Sequence, residues 1–89
     1  MPEVVIYSRP YCGYCDLAKS LLERKGLPYS EINVHDDQSR LSEMIDRSGG
    51  RMTFPQIFVG DRHVGGFTDL AALERRGQLD ELLNAQTKA

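Results

Sequence analysis

Short apolar runs alternate with stretches in which apolar residues recur at helical spacing, and that alternation lays out the elements. Residues 3–8, Glu-Val-Val-Ile-Tyr-Ser, form a β-branched and aromatic run that predicts a buried strand. Arg9-Pro10-Tyr11 breaks it. From about residue 13 to residue 25 the apolar positions become Leu17, Ala18, Leu21 and Leu22, one face of a helix. Gly26 ends this helix and Pro28 prevents its continuation. Residues 29–34 predict a second strand, with Ile32 and Val34 on the same side. Strand, helix and strand within so short a span make a βαβ unit, so the two strands should be parallel with a right-handed crossover.

The second half reads in the same way. Asp36 or Asp37 can cap a helix carrying Leu41, Met44 and Ile45, which Gly49-Gly50 stops. Gln56-Ile57-Phe58-Val59 is a third strand, and Gly60-Asp61 turns into a short fourth strand at 62–64. A helix from about 69 to 75 follows, with Thr68 as its expected cap. Gly77 interrupts, and Leu79, Leu82 and Leu83 mark a last helical stretch. Residues 85–89 carry no anchor and are expected to fray. The order β-α-β-α-β-β-α describes an α/β fold: a four-stranded mixed sheet with helices on both faces. No linker or repeat divides the chain, so one domain over 1–89, with a core at about 3–84, is expected.

Composition narrows the function. The chain has 89 residues, with 11 Lys+Arg against 13 Asp+Glu and a net charge of −2. That balance gives no reason to expect a nucleic-acid partner. No apolar run approaches the ~18–20 residues needed to cross a bilayer, so no membrane role is expected. The first residues lack a basic segment followed by a long apolar core, so no signal peptide is expected and the cytoplasm is the expected location. Cys12 and Cys15 are the two cysteines. A secreted scaffold of this size would need several pairs, whereas an intracellular C-x-x-C points to redox or metal chemistry. A permanent bridge across so short a loop would add little stability. Zinc would ask for four ligands, and His35 and His63 fit no zinc spacing. They read as surface residues at a strand end and in a hairpin.

Three segments carry candidate chemistry. Cys12-Gly13-Tyr14-Cys15 sits where the first strand hands over to the first helix. Free N–H groups and the helix dipole there favour a thiolate on Cys12 and pull its pKa below the free value of ~8.5. Arg9 adds positive charge nearby. Cys15, one turn into the helix, should be more buried. Cys12 is therefore the expected nucleophile and Cys15 the thiol that resolves its mixed disulfide. In Thr53-Phe54-Pro55-Gln56 a proline opens a strand. A cis bond would turn the Phe54 backbone outward to pair with an extended peptide, while a trans bond would make an ordinary edge. In Gly65-Gly66-Phe67-Thr68-Asp69, two glycines and a helix start can admit a carboxylate, or can simply end a hairpin.

Together these segments, in order and spacing, resemble the glutaredoxin family within the thioredoxin-fold superfamily, and the resemblance runs from Val4 to about Leu83. It implies a three-layer thioredoxin-like fold in a small dithiol protein of bacterial type. It implies a glutathione-dependent oxidoreductase that reduces protein disulfides and glutathione mixed disulfides, with glutathionylated or disulfide-containing proteins as partners. Carried over by position, Cys12 receives the glutathionyl group and Cys15 resolves protein disulfides. Tyr14 lines the groove and Arg9 meets the glycine carboxylate. Phe54, before an implied cis-Pro55, pairs its backbone with the cysteinyl part. Thr68 and Asp69, with the N–H groups of that helix start, hold the γ-glutamyl end, and Thr53, Pro55, Gly66 and Phe67 complete the glutathione site. A basic group at one end and a helix start at the other suit the charges of glutathione.

Some positions depart from the family pattern. Gly13 stands where proline is common, and members with small residues there can in some cases hold a [2Fe–2S] cluster between two subunits through Cys12 and bound glutathione. A cluster carrier is therefore one alternative, and a redoxin reduced by thioredoxin reductase is another. Phe67-Thr68 replaces a cysteine or serine followed by aspartate, which removes an acid but keeps a hydroxyl. Gly49-Gly50 adds a residue to the common spacing, so either Arg47 or Arg51 could meet the glycine carboxylate, and Arg51 could equally be a solvated loop charge. No exposed apolar stripe argues for an obligate dimer, so a monomer is expected.

Overall fold

The computed structural model describes residues 3–87. Its elements are β1 (Val4–Ser8), α1 (Gly13–Arg24), β2 (Ser30–Asn33), α2 (Gln38–Arg47), β3 (Gln56–Val59), β4 (Arg62–Gly65), α3 (Phe67–Arg75) and α4 (Gln78–Thr87). The sheet order is β2-β1-β3-β4. β1 runs parallel to β2 and antiparallel to β3, and β3 pairs antiparallel with β4. This is the expected mixed sheet, with the βαβ unit where the pattern put it.

β1 is buried along its whole length because both faces of the sheet are covered. Its alternate residues serve two cores. Val4 and Ile6 join Ile57 and Val59 beneath Ala18, Leu21, Leu22, Leu70 and Leu79, so α1, α3 and α4 cover one face. Val5 and Tyr7 join Phe58, Val34 and Met44 beneath α2 on the other. Lys25, at the end of α1, bonds Glu74 of α3 at 2.9 Å and Asp80 of α4 at 3.2 Å, tying three helices together at the rim. Exposed pairs of this kind contribute only about 0–1 kcal/mol, so the two apolar cores hold the layers together.

Several expected boundaries move. Asp37 is the cap of α2, its carboxylate accepting from the Arg40 N–H at 3.0 Å. Thr68 does not cap α3: the cap is Gly66, and the helix already begins at Phe67. The reason lies at the third helical position, where Asp69 Oδ2 accepts from the Gly66 N–H at 3.0 Å and closes the helix start without a capping hydroxyl. Gly65 has φ 119°, and a Cβ there would collide with the Asp69 carboxylate. The segment expected to fray is helical as far as Thr87, because Leu79 and Leu83 anchor α4 in the larger core. Residues 88–89 lie outside the described residues.

Two carboxylates depend on hydroxyl donors from β1. Ser8 Oγ donates to Glu31 at 2.7 Å, and the Tyr7 hydroxyl donates to Glu43. These bonds hold the carboxyls of Glu31 and Glu43 below their ordinary value of 4.5, with help from Lys19 and Arg40 respectively. A depressed folded pKa contributes stability above the unfolded value and loses it as pH falls. Urea unfolding should therefore show stability declining as pH drops below about 4.5, with a shallower decline in Ser8→Ala; an unchanged acid limb in that variant would disprove the coupling.

Candidate active site

Cys12 lies in the turn between β1 and α1. Tyr11, just before it, takes the left-handed conformation with φ 57°, sparsely used by non-glycine residues, and has its side chain fully in solvent. Cys12 is itself the N-cap of α1 and stands where serine or aspartate usually stands: its Sγ accepts from the Cys15 N–H at 3.2 Å. A sulfur at this position faces the positive end of the helix, so the same contact favours negative charge on it after reduction. The two cysteines are disulfide-bonded, with Cα atoms 5.2 Å apart. Cys12 is half-buried, whereas Cys15 is 2% exposed and packed under the turn. The asymmetry expected from the sequence is present.

Beside this turn lies an open groove of ≈ 240 Å³. Tyr14, between the cysteines, forms one wall and stacks on Phe67 with ring centroids 6.2 Å apart. Thr53, Phe54 and Pro55 form another wall, and the Phe54–Pro55 peptide is cis, one of the two alternatives the sequence left open. The third wall is the start of α3: Gly66, Phe67, Thr68 and Asp69. The first N–H groups of α3, which lack partners within the helix, thus belong to residues that line the groove. Eight expected site residues come together here.

The arginines separate. Arg51 lines the groove. Arg47 does not: it donates to the Tyr7 hydroxyl at 2.8 Å and lies 4.2 Å above the Phe58 ring. Arg9 stands across the Phe54 ring, 5.0 Å from its centroid, and faces a second hollow of ≈ 400 Å³ that includes His35, Asp37 and Met52. Among the described residues no three of His, Cys, Asp and Glu come together to hold a metal ion.

Two residues behind the groove wall take places that their local sequence does not mark. Gln56 is completely buried, and its amide nitrogen donates to the Thr53 carbonyl and hydroxyl, both at 2.9 Å. His63, expected at the surface, is half-buried, with Nε2 2.7 Å from Gln56 Oε1 and its ring 4.9 Å from that of Phe58. A glutamine opening an otherwise apolar strand was the available signal, since a buried amide must find partners.

A mixed sheet with a C-x-x-C turn at the start of its first helix, facing a cis-proline loop, defines a thiol–disulfide oxidoreductase of the thioredoxin-like fold. Within that class the chain belongs to the glutaredoxin family, whose model, described as "Glutaredoxin", matches residues 4–64. A glutaredoxin of Pseudomonas aeruginosa is 51% identical over 85 residues, covering 96% of this chain and 100% of that protein. The solution structure of a Brucella melitensis glutaredoxin superposes with TM-score 0.82 at 50% identity, covering 100% of this chain and 96% of that one. A buckwheat glutaredoxin–glutathione complex superposes with TM-score 0.78 at 30% identity, covering 92% and 76%.

In the reduced protein at pH 7, iodoacetamide should alkylate Cys12 at least roughly tenfold faster than Cys15, read by mass spectrometry of the digested protein. Equal rates would mean that the difference in burial does not govern reactivity.

Proposed function

We propose that the protein uses glutathione as electron donor to reduce glutathione mixed disulfides and protein disulfides in the cytoplasm. The observation that carries this reading is the groove beside the C-x-x-C turn, with Arg51 and the start of α3 both on its walls. Glutathione has two carboxylates and one ammonium, so it suits a cationic side chain, N–H groups and an acid in one groove. Arg51 takes one carboxylate and the first N–H groups of α3 take the other. Asp69 and Thr68, which line the groove, take the ammonium. The buckwheat neighbour, which is a glutathione complex, supports the same choice.

The chemistry is thiol–disulfide exchange. The Cys12 thiolate attacks the glutathione sulfur of a glutathionylated protein. The S–S bond breaks, and the protein thiolate leaves and takes up a proton. A second glutathione thiolate attacks the glutathionyl sulfur on Cys12, so oxidised glutathione departs and the Cys12 thiolate returns. With a protein disulfide, Cys12 instead forms a mixed disulfide with one substrate sulfur. Cys15, deprotonated, then attacks Cys12 and expels the substrate thiolate. The product is the Cys12–Cys15 disulfide of the described structure, which two glutathiones reduce. Tyr11, Tyr14 and Leu17 are exposed apolar side chains close to the dithiol in the chain, and they offer contact surface to a protein substrate.

Cys12→Ser should abolish turnover of both substrate types. Cys15→Ser should retain deglutathionylation and lose reduction of protein disulfides. Equal activity of the two variants would reverse or remove the assigned roles. With the unaltered protein, turnover coupled to glutathione and glutathione reductase should exceed turnover coupled to thioredoxin reductase by at least roughly tenfold; the opposite order would overturn the glutathione reading.

A further inference from the structure

Gln56 is the first residue of β3 and has no exposed surface, although the residues after it on the strand are apolar. Its amide nitrogen faces the Thr53 carbonyl and hydroxyl, and its oxygen faces His63. The orientation follows from the chemistry of the partners. A carbonyl only accepts, so the amide nitrogen must be the atom that meets Thr53. The amide oxygen then meets His63, and an oxygen 2.7 Å from Nε2 requires a proton there. Burial and the Arg51 charge hold His63 below the ordinary histidine value, against the opposing pull of Asp69. At neutral pH the ring is uncharged and carries its one proton on Nε2.

The result is a directed chain: His63 donates to Gln56, and Gln56 donates to Thr53. Its two ends have different jobs. The His63 ring is fixed by packing on Phe58 in the core. Thr53 lines the groove, immediately before Phe54 and Pro55. The Thr53 hydroxyl oxygen accepts from Gln56, so what that group can still offer another acceptor is its hydrogen.

We propose that Gln56 and His63 are positioning residues for this groove: they hold the Thr53-Phe54-Pro55 wall in the one orientation a glutathionyl group can pair with. Given the glutathione reading above, they set how strongly the protein prefers a glutathione mixed disulfide over other mixed disulfides. Neither side chain lines the groove or lies beside the sulfurs in the chain, so the exchange chemistry at Cys12 does not pass through them.

The measurement is a ratio. One peptide thiol is prepared as its mixed disulfide with glutathione and, separately, with 2-mercaptoethanol, and kcat/KM is measured for each at saturating glutathione. A ratio near one in the unaltered protein would remove the glutathione reading of the groove and the positioning role with it. Given a large ratio, Gln56→Leu and His63→Phe should each lower it roughly tenfold, mainly through a higher KM for the glutathione substrate. The rate of Cys12 alkylation by iodoacetamide should stay within about twofold in both. Combining the two changes should cost no more than either alone, because both break one chain. His63→Gln, which restores an N–H donor, should recover most of the ratio. Should Gln56→Leu not fold, the His63 variants decide alone. A ratio unchanged in His63→Phe, with both substrates slowed equally or not at all, would overturn the positioning role and leave the glutathione reading standing.

Discussion

The Cys15 N–H bonded to the Cys12 sulfur is the contact on which the rest of the molecule depends. It makes a cysteine the cap of α1 and sets its sulfur where backbone dipoles converge. That placement requires β1 to end at Ser8 and α1 to begin at Gly13. It also requires Tyr11 to adopt a backbone conformation that a non-glycine residue rarely takes. Such a turn persists where the surrounding structure holds it: β1 is buried on both faces, and α1 is packed through Ala18, Leu21 and Leu22.

The two central strands, β1 and β3, are apolar along most of their length and polar at one end. Tyr7 pairs in register with Gln56, and Ser8 follows Tyr7. These three residues carry buried polar groups at the end of the sheet nearest the active turn. Each has a partner: Ser8 with Glu31, Tyr7 with Glu43 and Arg47, and Gln56 with Thr53 and His63. Among the described residues no buried side-chain polar atom lacks one. An apolar interior gives cohesion without direction, whereas hydrogen bonds specify orientation. Their concentration at this end suits a site whose walls come from three separate segments of the chain.

Charge is divided in the same spirit. Arg47, Arg9 and Arg51 are chemically identical, yet they meet different surroundings. Arg47 is committed to the aromatic core beneath α2, Arg9 lies over the outer face of Phe54, and Arg51 alone of the three lines the groove. A cation already engaged in hydrogen bonds and ring contacts has less to offer a ligand, and Arg51 is the cationic residue that lines the groove.

Much of the chain announced itself. The short apolar runs and the helical spacings marked the elements to within a few residues, because a strand buried on both faces is apolar throughout and a helix packed on one side is apolar along one stripe. The C-x-x-C at a strand–helix junction and the Thr53-Phe54-Pro55 and Gly65-Gly66 segments marked the parts of the site, since cysteine, proline and glycine impose local geometry wherever they stand. What the sequence left open depends on neighbours distant in the chain. Whether Arg47 or Arg51 faces the groove, whether Thr68 or Gly66 caps α3, and what Gln56 and His63 do are decided by which groups the packed sheet brings within hydrogen-bond reach. Local preference supplies the parts and the order of assembly. A hydrogen bond or a ring contact needs two partners at a fixed distance, and only the folded chain sets that distance.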